Sequence, residues 1–111
     1  MDYTAKFELV DKGTSVFSHE VMELVKSIDI EKSIGAAAKT QGISTAKAWK
    51  MIRGIEKVLG EAAIIKSRNE PAVDNYNVHI SPACRGLLEK YANFEAKSEE
   101  AVQKIFAQYF G

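Results

Sequence analysis

Between Tyr3 and Val10 apolar and polar side chains alternate, with Tyr3, Ala5, Phe7 and Leu9 on one side and Thr4, Lys6 and Glu8 on the other. That is the period of a half-buried strand. Asp11-Lys12-Gly13 is a turn signal and Ser15-Val16-Phe17 suits a short return strand, which predicts an N-terminal hairpin over residues 3–17. The period then changes. Ser18 is a good N-cap, Glu20 sits where a helix dipole favours an acid, and Val21, Met22, Leu24, Val25 and Ile28 form the apolar stripe of a first helix ending near Ile30. Ser33 caps a short second helix, Ile34 to Gln41, which Gly42 ends. Ser44 caps a third, running to about Leu59 and stopped by Gly60. Ala62–Ile65 and Tyr76–Ile80 read as strands separated by the polar stretch Lys66–Asn75, with Pro71 and Asp74-Asn75 as turn chemistry. Ser81-Pro82 opens a last helix, uninterrupted by Gly or Pro from Leu87 to about Tyr109.

The second and third helices are joined by only Gly42-Ile43-Ser44, the spacing of a helix-turn-helix. Ala38, four residues before Gly42, is small enough for a close helix crossing, and Ile43 would plug the turn into the core. The expected fold is mainly α with small β-hairpins: a winged helix-turn-helix with a long C-terminal dimerisation helix. All 111 residues form one domain in this reading. Residues 18–59 hold three helices, including the helix-turn-helix at 33–59, residues 62–80 form the wing, and residues 81–110 the long helix.

Composition adds a contradiction that the charge distribution resolves. Fifteen basic and fifteen acidic side chains cancel, which argues against a nucleic-acid partner. Residues 1–38 are net acidic, whereas residues 39–68 carry Lys39, Lys47, Lys50, Arg53, Lys57, Lys66 and Arg68 against only Glu56 and Glu61. Glu70 and Asp74 add acid to the wing, and residues 81–111 are balanced. Such asymmetry bears on partners rather than on fold. The single cysteine excludes an internal disulfide and a Cys-rich metal cage. No apolar run approaches the roughly 18 residues of a membrane span, and the N-terminus lacks a basic-then-apolar signal segment, so a cytoplasmic protein with no membrane association is expected.

The basic block acquires a direction on the third helix. At 100° per residue, Ala48, Met51, Ile52, Ile55 and Leu59 face the core, while Lys47, Lys50, Arg53 and Lys57 lie opposite with the small Ala46 and Gly54. Cations suit phosphate, small residues permit close approach in a major groove, and Ser44 and Thr45 offer hydroxyls and free backbone N–H groups at the helix start. The candidate contacts to double-stranded DNA are therefore Ser33, Ser44, Thr45, Ala46, Lys47, Lys50, Arg53 and Lys57, with Lys66 and Arg68 from the wing. Ser33 is first of all an N-cap, and Trp49, between the two faces, is first of all packing.

On the last helix Cys84, Leu87, Tyr91, Phe94, Ser98, Ala101 and Ile105 follow the alternating three- and four-residue steps of a heptad seam, widened by Leu88, Val102, Phe106 and Tyr109. A helix of this length exceeds one small core, so a homodimer is expected through Leu87, Tyr91, Phe94, Ala101, Ile105, Phe106 and Tyr109. The competing arrangement folds this helix back over its own N-terminal hairpin. His79 and Cys84 are the only nucleophile-and-base pair, and no third group orients them, so no enzyme, cofactor or metal is expected. Cys84 falls at the third position of the helix, where the dipole can lower a thiol pKa; a redox switch competes there with a small buried core thiol.

The run Ser33-Ile34-Gly35-Ala36-Ala37-Ala38-Lys39-Thr40-Gln41-Gly42-Ile43-Ser44, followed by Ala48-Trp49 and Leu59-Gly60-Glu61, resembles the N-terminal DNA-binding domain of the molybdate-responsive ModE regulators. More distantly it resembles the LysR-type winged helix-turn-helix. Ile80-Ser81-Pro82-Ala83 looks like the opening of the long helix that follows the wing in those families. The resemblance implies a dimeric prokaryotic transcription regulator whose third helix enters the major groove and whose wing touches flanking phosphate. The wing here, Arg68-Asn69-Glu70-Pro71-Ala72-Val73-Asp74, is acidic where the family's is often Gly-rich, which confines its phosphate contact to Lys66 and Arg68. Cys84 stands where the family usually has Gly, and the molybdate-binding domains of full ModE regulators have no counterpart in these residues. The expected function is sequence-specific DNA binding without a molybdate-binding domain, the small-molecule effector being unknown. The alternatives are a winged-helix protein-interaction module without DNA binding, and a DNA binder that senses molybdate or another oxyanion directly.

Overall fold

A computed structural model describes residues 1–66 and 77–111. Two short antiparallel strands, β1 (Leu9–Asp11) and β2 (Thr14–Phe17), precede the helices α1 (His19–Glu31), α2 (Ile34–Thr40) and α3 (Thr45–Leu59). The strands β3 (Ile64–Lys66) and β4 (Val78–Ile80) pair antiparallel, Ile64 opposite Ile80, and α4 (Pro82–Phe110) ends the chain. The fold is mainly α with two small hairpins and a long C-terminal helix. Arg68 and Tyr76, assigned to the wing from the sequence, lie outside the described residues.

Each helix starts on a serine that accepts a hydrogen bond from the backbone N–H three residues on. Ser18, Ser33, Ser44 and Ser81 take those of Val21, Ala36, Lys47 and Cys84 at 3.3, 3.1, 3.0 and 3.1 Å. Each bond satisfies one of the donors a helix N-terminus leaves without a partner. The helix-turn-helix closes tightly: the Ile43 N–H reaches the Ala38 carbonyl at 3.0 Å, and Gly42 takes a positive φ of 70°. Ala37, Ala38 and Ala48 are buried where α2 packs on α3, and Ile43 packs against the core.

One core joins all four helices to both hairpins. Phe17, Leu24, Val25, Ile28, Ile34, Ile52, Ile55, Ile80, Cys84 and Tyr91 are fully or almost fully buried. The β3–β4 hairpin is tied to the helices at two points, the Val78 N–H donating to the Lys32 carbonyl (3.1 Å) and the Ala63 N–H to a Glu56 carboxylate oxygen (2.9 Å), and its open end is closed by the Ser81 N–H donating to the Ala63 carbonyl (2.8 Å).

The N-terminal segment departs from the strand expected over Tyr3–Val10. Only Leu9–Asp11 enters the ladder, because the return strand is four residues long and offers no further partners. Residues 3–7 lie along α4 instead. The Tyr3 ring sits 4.7 Å from that of Phe106 and its hydroxyl donates to Gln103 Oε1 (2.9 Å), while Phe7 meets Phe94 edge-on at 6.1 Å. Tyr91 lies against Phe17, ring to ring at 5.0 Å, and its hydroxyl is shared between the Phe7 carbonyl (2.7 Å) and Glu95 Oε2 (3.0 Å). Burial, then the hydrogen bond and charge of Glu95, push its pKa up to about 12. Part of α4 is thus covered by its own N-terminal segment.

Candidate nucleic-acid interface

Helix α3 divides as its periodicity requires. Ala48, Ile52 and Ile55 are buried, Met51 and Leu59 partly so, and Thr45, Ala46, Lys47, Lys50, Arg53 and Lys57 are exposed. Among the described residues no carboxylate pairs with Lys50, Arg53 or Lys57. The Arg53 guanidinium lies 5.9 Å from the centre of the Trp49 ring, within reach of a cation–π contact that steers it along the helix surface. Trp49 itself packs, half-buried, against the core.

Two other candidates are differently placed. Ser33 is 1% exposed with its hydroxyl committed to the Ala36 N–H, so its role is the cap and its reach to a phosphate is closed off. Ser44 also caps, yet it stays exposed at the start of α3 beside Thr45. Lys66 is exposed at the end of β3, whereas Arg68 lies outside the described residues.

The feature missed by sequence reasoning is the other bank of this face. A groove of about 1080 Å³ separates α3 from the N-terminal hairpin and the start of α1. Lys47, Lys50, Arg53 and Lys57 line it on one side; Glu8, Asp11 and Glu20, with one cation, Lys12, line it on the other. One pair closes across: Lys47 Nζ lies 3.0 Å from Glu20 Oε1. The sequence showed that residues 1–38 are acidic, but their position against α3 is a product of tertiary packing.

On α4 the expected seam splits. Cys84, Leu88, Tyr91 and Glu95 face the domain's own core, with Tyr91 1% exposed, so Tyr91 is no longer free for a partner helix. Leu87 and Phe106 are half-buried, whereas Phe94, Ala101, Ile105 and Tyr109 are exposed. Of the two readings of Cys84, the structure matches the small buried core thiol and not the dipole-activated group. Burial dominates and pushes its pKa up to about 11. Among the described residues no group of three or more His, Cys, Asp or Glu side chains is placed to hold a metal ion, and no helix is long and apolar enough to cross a membrane.

No protein-family model and no curated protein matches the sequence. Solved structures do match. ArgP from Mycobacterium tuberculosis superposes with a TM-score of 0.54 at 15% identity, covering 78% of this chain and 30% of that one. DarR from Vibrio fischeri, an LTTR (LysR-type) family member solved in complex with DNA, gives 0.59 at 14% identity, covering 83% and 30%. The shared fold is a winged helix-turn-helix. The chain spans under a third of the length of either neighbour.

Proposed function

We propose that this chain is the DNA-reading module of a transcription regulator, binding double-stranded DNA in a sequence-specific manner as a homodimer. One observation carries the reading: in a winged helix-turn-helix fold, Lys50, Arg53 and Lys57 stand exposed on the outward face of α3, around the small Ala46 and Gly54, without acidic partners among the described residues. Affinity comes mainly from Lys50, Arg53, Lys57 and Lys66, with Arg68 added by its place in the sequence, and falls with rising salt through counterion release. Base choice rests on Thr45, Ala46, Lys47 and Lys50 in the first turns of α3. Dimerisation uses the strip of α4 that bears the exposed Phe94, Ala101, Ile105 and Tyr109, flanked by the half-buried Leu87 and Phe106. The finer assignment, to the ModE type, is supported by the Ser33–Ser44 run and the Ala48-Trp49 pair. Sensing of an effector such as molybdate is not assigned to these residues.

A gel-shift titration of Lys50→Glu against wild type tests the reading on a duplex enriched from a random library. Reversal of that charge is expected to abolish the shift; unchanged binding overturns the assignment of α3. A second reading, a winged helix that docks another protein, is favoured by Glu8, Asp11 and Glu20 beside the basic face. It predicts no retention on duplex DNA even at low salt, together with a stable hetero-partner.

A further inference from the structure

The four cations of α3 are not equivalent. Lys50, Arg53 and Lys57 project without a carboxylate partner among the described residues, but Lys47 is fixed twice. Its backbone N–H is held by the Ser44 hydroxyl at 3.0 Å, and its ammonium by Glu20, in the first turn of α1, also at 3.0 Å. Both side chains of the pair are about half exposed, so the pair adds little to stability. A carboxylate beside a phosphate-binding face also weakens the attraction that brings DNA there. An acid in the first turn suits the dipole of α1, but its position against Lys47 calls for an explanation of its own.

The chemistry of lysine supplies one. A free lysine on an exposed helix is a flexible point charge that settles on any phosphate within reach, without regard to sequence. An ammonium paired with a carboxylate is close to neutral as seen by a phosphate, and its side chain is ordered before DNA arrives. It keeps two further N–H donors, enough for the O6 and N7 acceptors of a guanine edge. Lys47 is in the first turn of α3, the part of a recognition helix that meets base edges.

We infer that Glu20 is a positioning residue that directs Lys47 to a base edge instead of the phosphate backbone. The inference rests on the DNA-reading proposal above and makes the groove between α1 and α3 part of the specificity machinery.

The test compares wild type, Glu20→Gln, Lys47→Gln and the double variant by equilibrium binding. Two duplexes are used, one enriched from a random library by the wild-type chain and a scrambled one of equal composition, each over a series of salt concentrations. Glu20→Gln is expected to bind the scrambled duplex more tightly, with a salt dependence steeper by about one released ion. Its preference for the enriched duplex should fall about tenfold. Lys47→Gln should lose the same preference, and adding Glu20→Gln to it should cost no more. If Glu20→Gln strengthens binding to both duplexes equally, Glu20 is only a repelling charge and the inference fails while the DNA reading stands. Unchanged preference in Lys47→Gln, whose side chain is exposed and outside the core, has the same consequence. If the wild-type chain enriches no duplex at all, the DNA reading itself falls.

Discussion

A single guanidinium nitrogen of Arg85, in the first turn of α4, lies 3.0 and 3.1 Å from the two carboxylate oxygens of Asp29 in the last turn of α1. Burial pushes the Asp29 carboxyl up, but the Arg85 hydrogen bond and charge, with Lys32 and the Ile80 backbone, together outweigh it and hold the pKa below its ordinary value. A depressed carboxyl contributes stability that is complete above its unfolded pKa and lost as pH falls through the lower folded one. Arg85→Leu is expected to cost about 0.2–1 kcal/mol at neutral pH, the worth of a partly exposed pair. Urea unfolding at steps from neutrality towards pH 2 should show the gap to wild type closing as Asp29 takes up its proton. A gap that stays constant would mean that Arg85 acts through packing alone.

Cys84 leads to an expectation for thiol chemistry. The thiol is enclosed among core side chains, and desolvation keeps it protonated with a pKa raised to about 11. Because the thiolate is the reactive form, native protein near pH 8 should titrate with an aromatic disulfide reagent far more slowly than the same chain in denaturant. Brief treatment with mild peroxide should leave the unfolding midpoint unchanged. Rapid labelling of the native protein would restore the case for a redox switch at this position.

The parts of this structure that were legible in the sequence are those set by local chemistry. Four serine caps and the glycines at 42 and 60 fix helix ends through bonds and dihedrals spanning a few residues, and all four helices begin where the serines place them. The end of α1 was less legible, since Lys32 takes the left-handed conformation (φ 58°) usually left to glycine. Periodicity carried less information than it suggested. Alternation in Tyr3–Leu9 reports that one side of the segment is covered, and α4 provides that cover without a strand partner. The heptad spacing of α4 likewise marks an apolar face but not what meets it, and at Tyr91 the answer is Phe17 of the same chain. Glu20 is read locally as a first-turn acid. Its partner lies 27 positions away on another helix, and no sequence pattern places it there.

Gly54 separates the needs of the fold from those of binding. It occupies the middle of α3 and lines the groove, and a Cβ built on it would meet nothing within 4 Å. Glycine inside a helix costs about 0.5–1 kcal/mol relative to alanine. Nothing in the surrounding packing accounts for it. Gly54→Ala is therefore expected to raise stability to urea by that amount. If a base edge or phosphate approaches this surface, the same variant should bind DNA more weakly, as seen by gel shift. A more stable variant with undiminished DNA affinity would show that the face bearing Gly54 stays clear of the duplex.

Among the described residues, the far end of α4 groups several exposed apolar side chains. Ile105, Tyr109 and Phe110 are 54%, 75% and 61% exposed, and Phe94 and Ala101 extend the strip toward the domain. At about 1.5 Å per residue the helix runs about 43 Å, whereas the buried residues of α4 all lie between Cys84 and Glu95. The remaining turns receive only Tyr3 and its neighbours, which cover one side at Phe106 and leave the side bearing Ile105 open. A second copy meeting this strip about a two-fold axis would place Ile105 near the seam twice over. Ile105→Glu should then weaken the dimer by about 2 kcal/mol, about thirtyfold in Kd, by sedimentation velocity over a concentration series. Ala107→Glu, two residues along and on the opposite side of the helix, should leave the assembly intact. Equal sedimentation of wild type and Ile105→Glu would place the dimer contact elsewhere. Loss of association in Ile105→Glu alone, with helix content unchanged by circular dichroism, would assign it to this face.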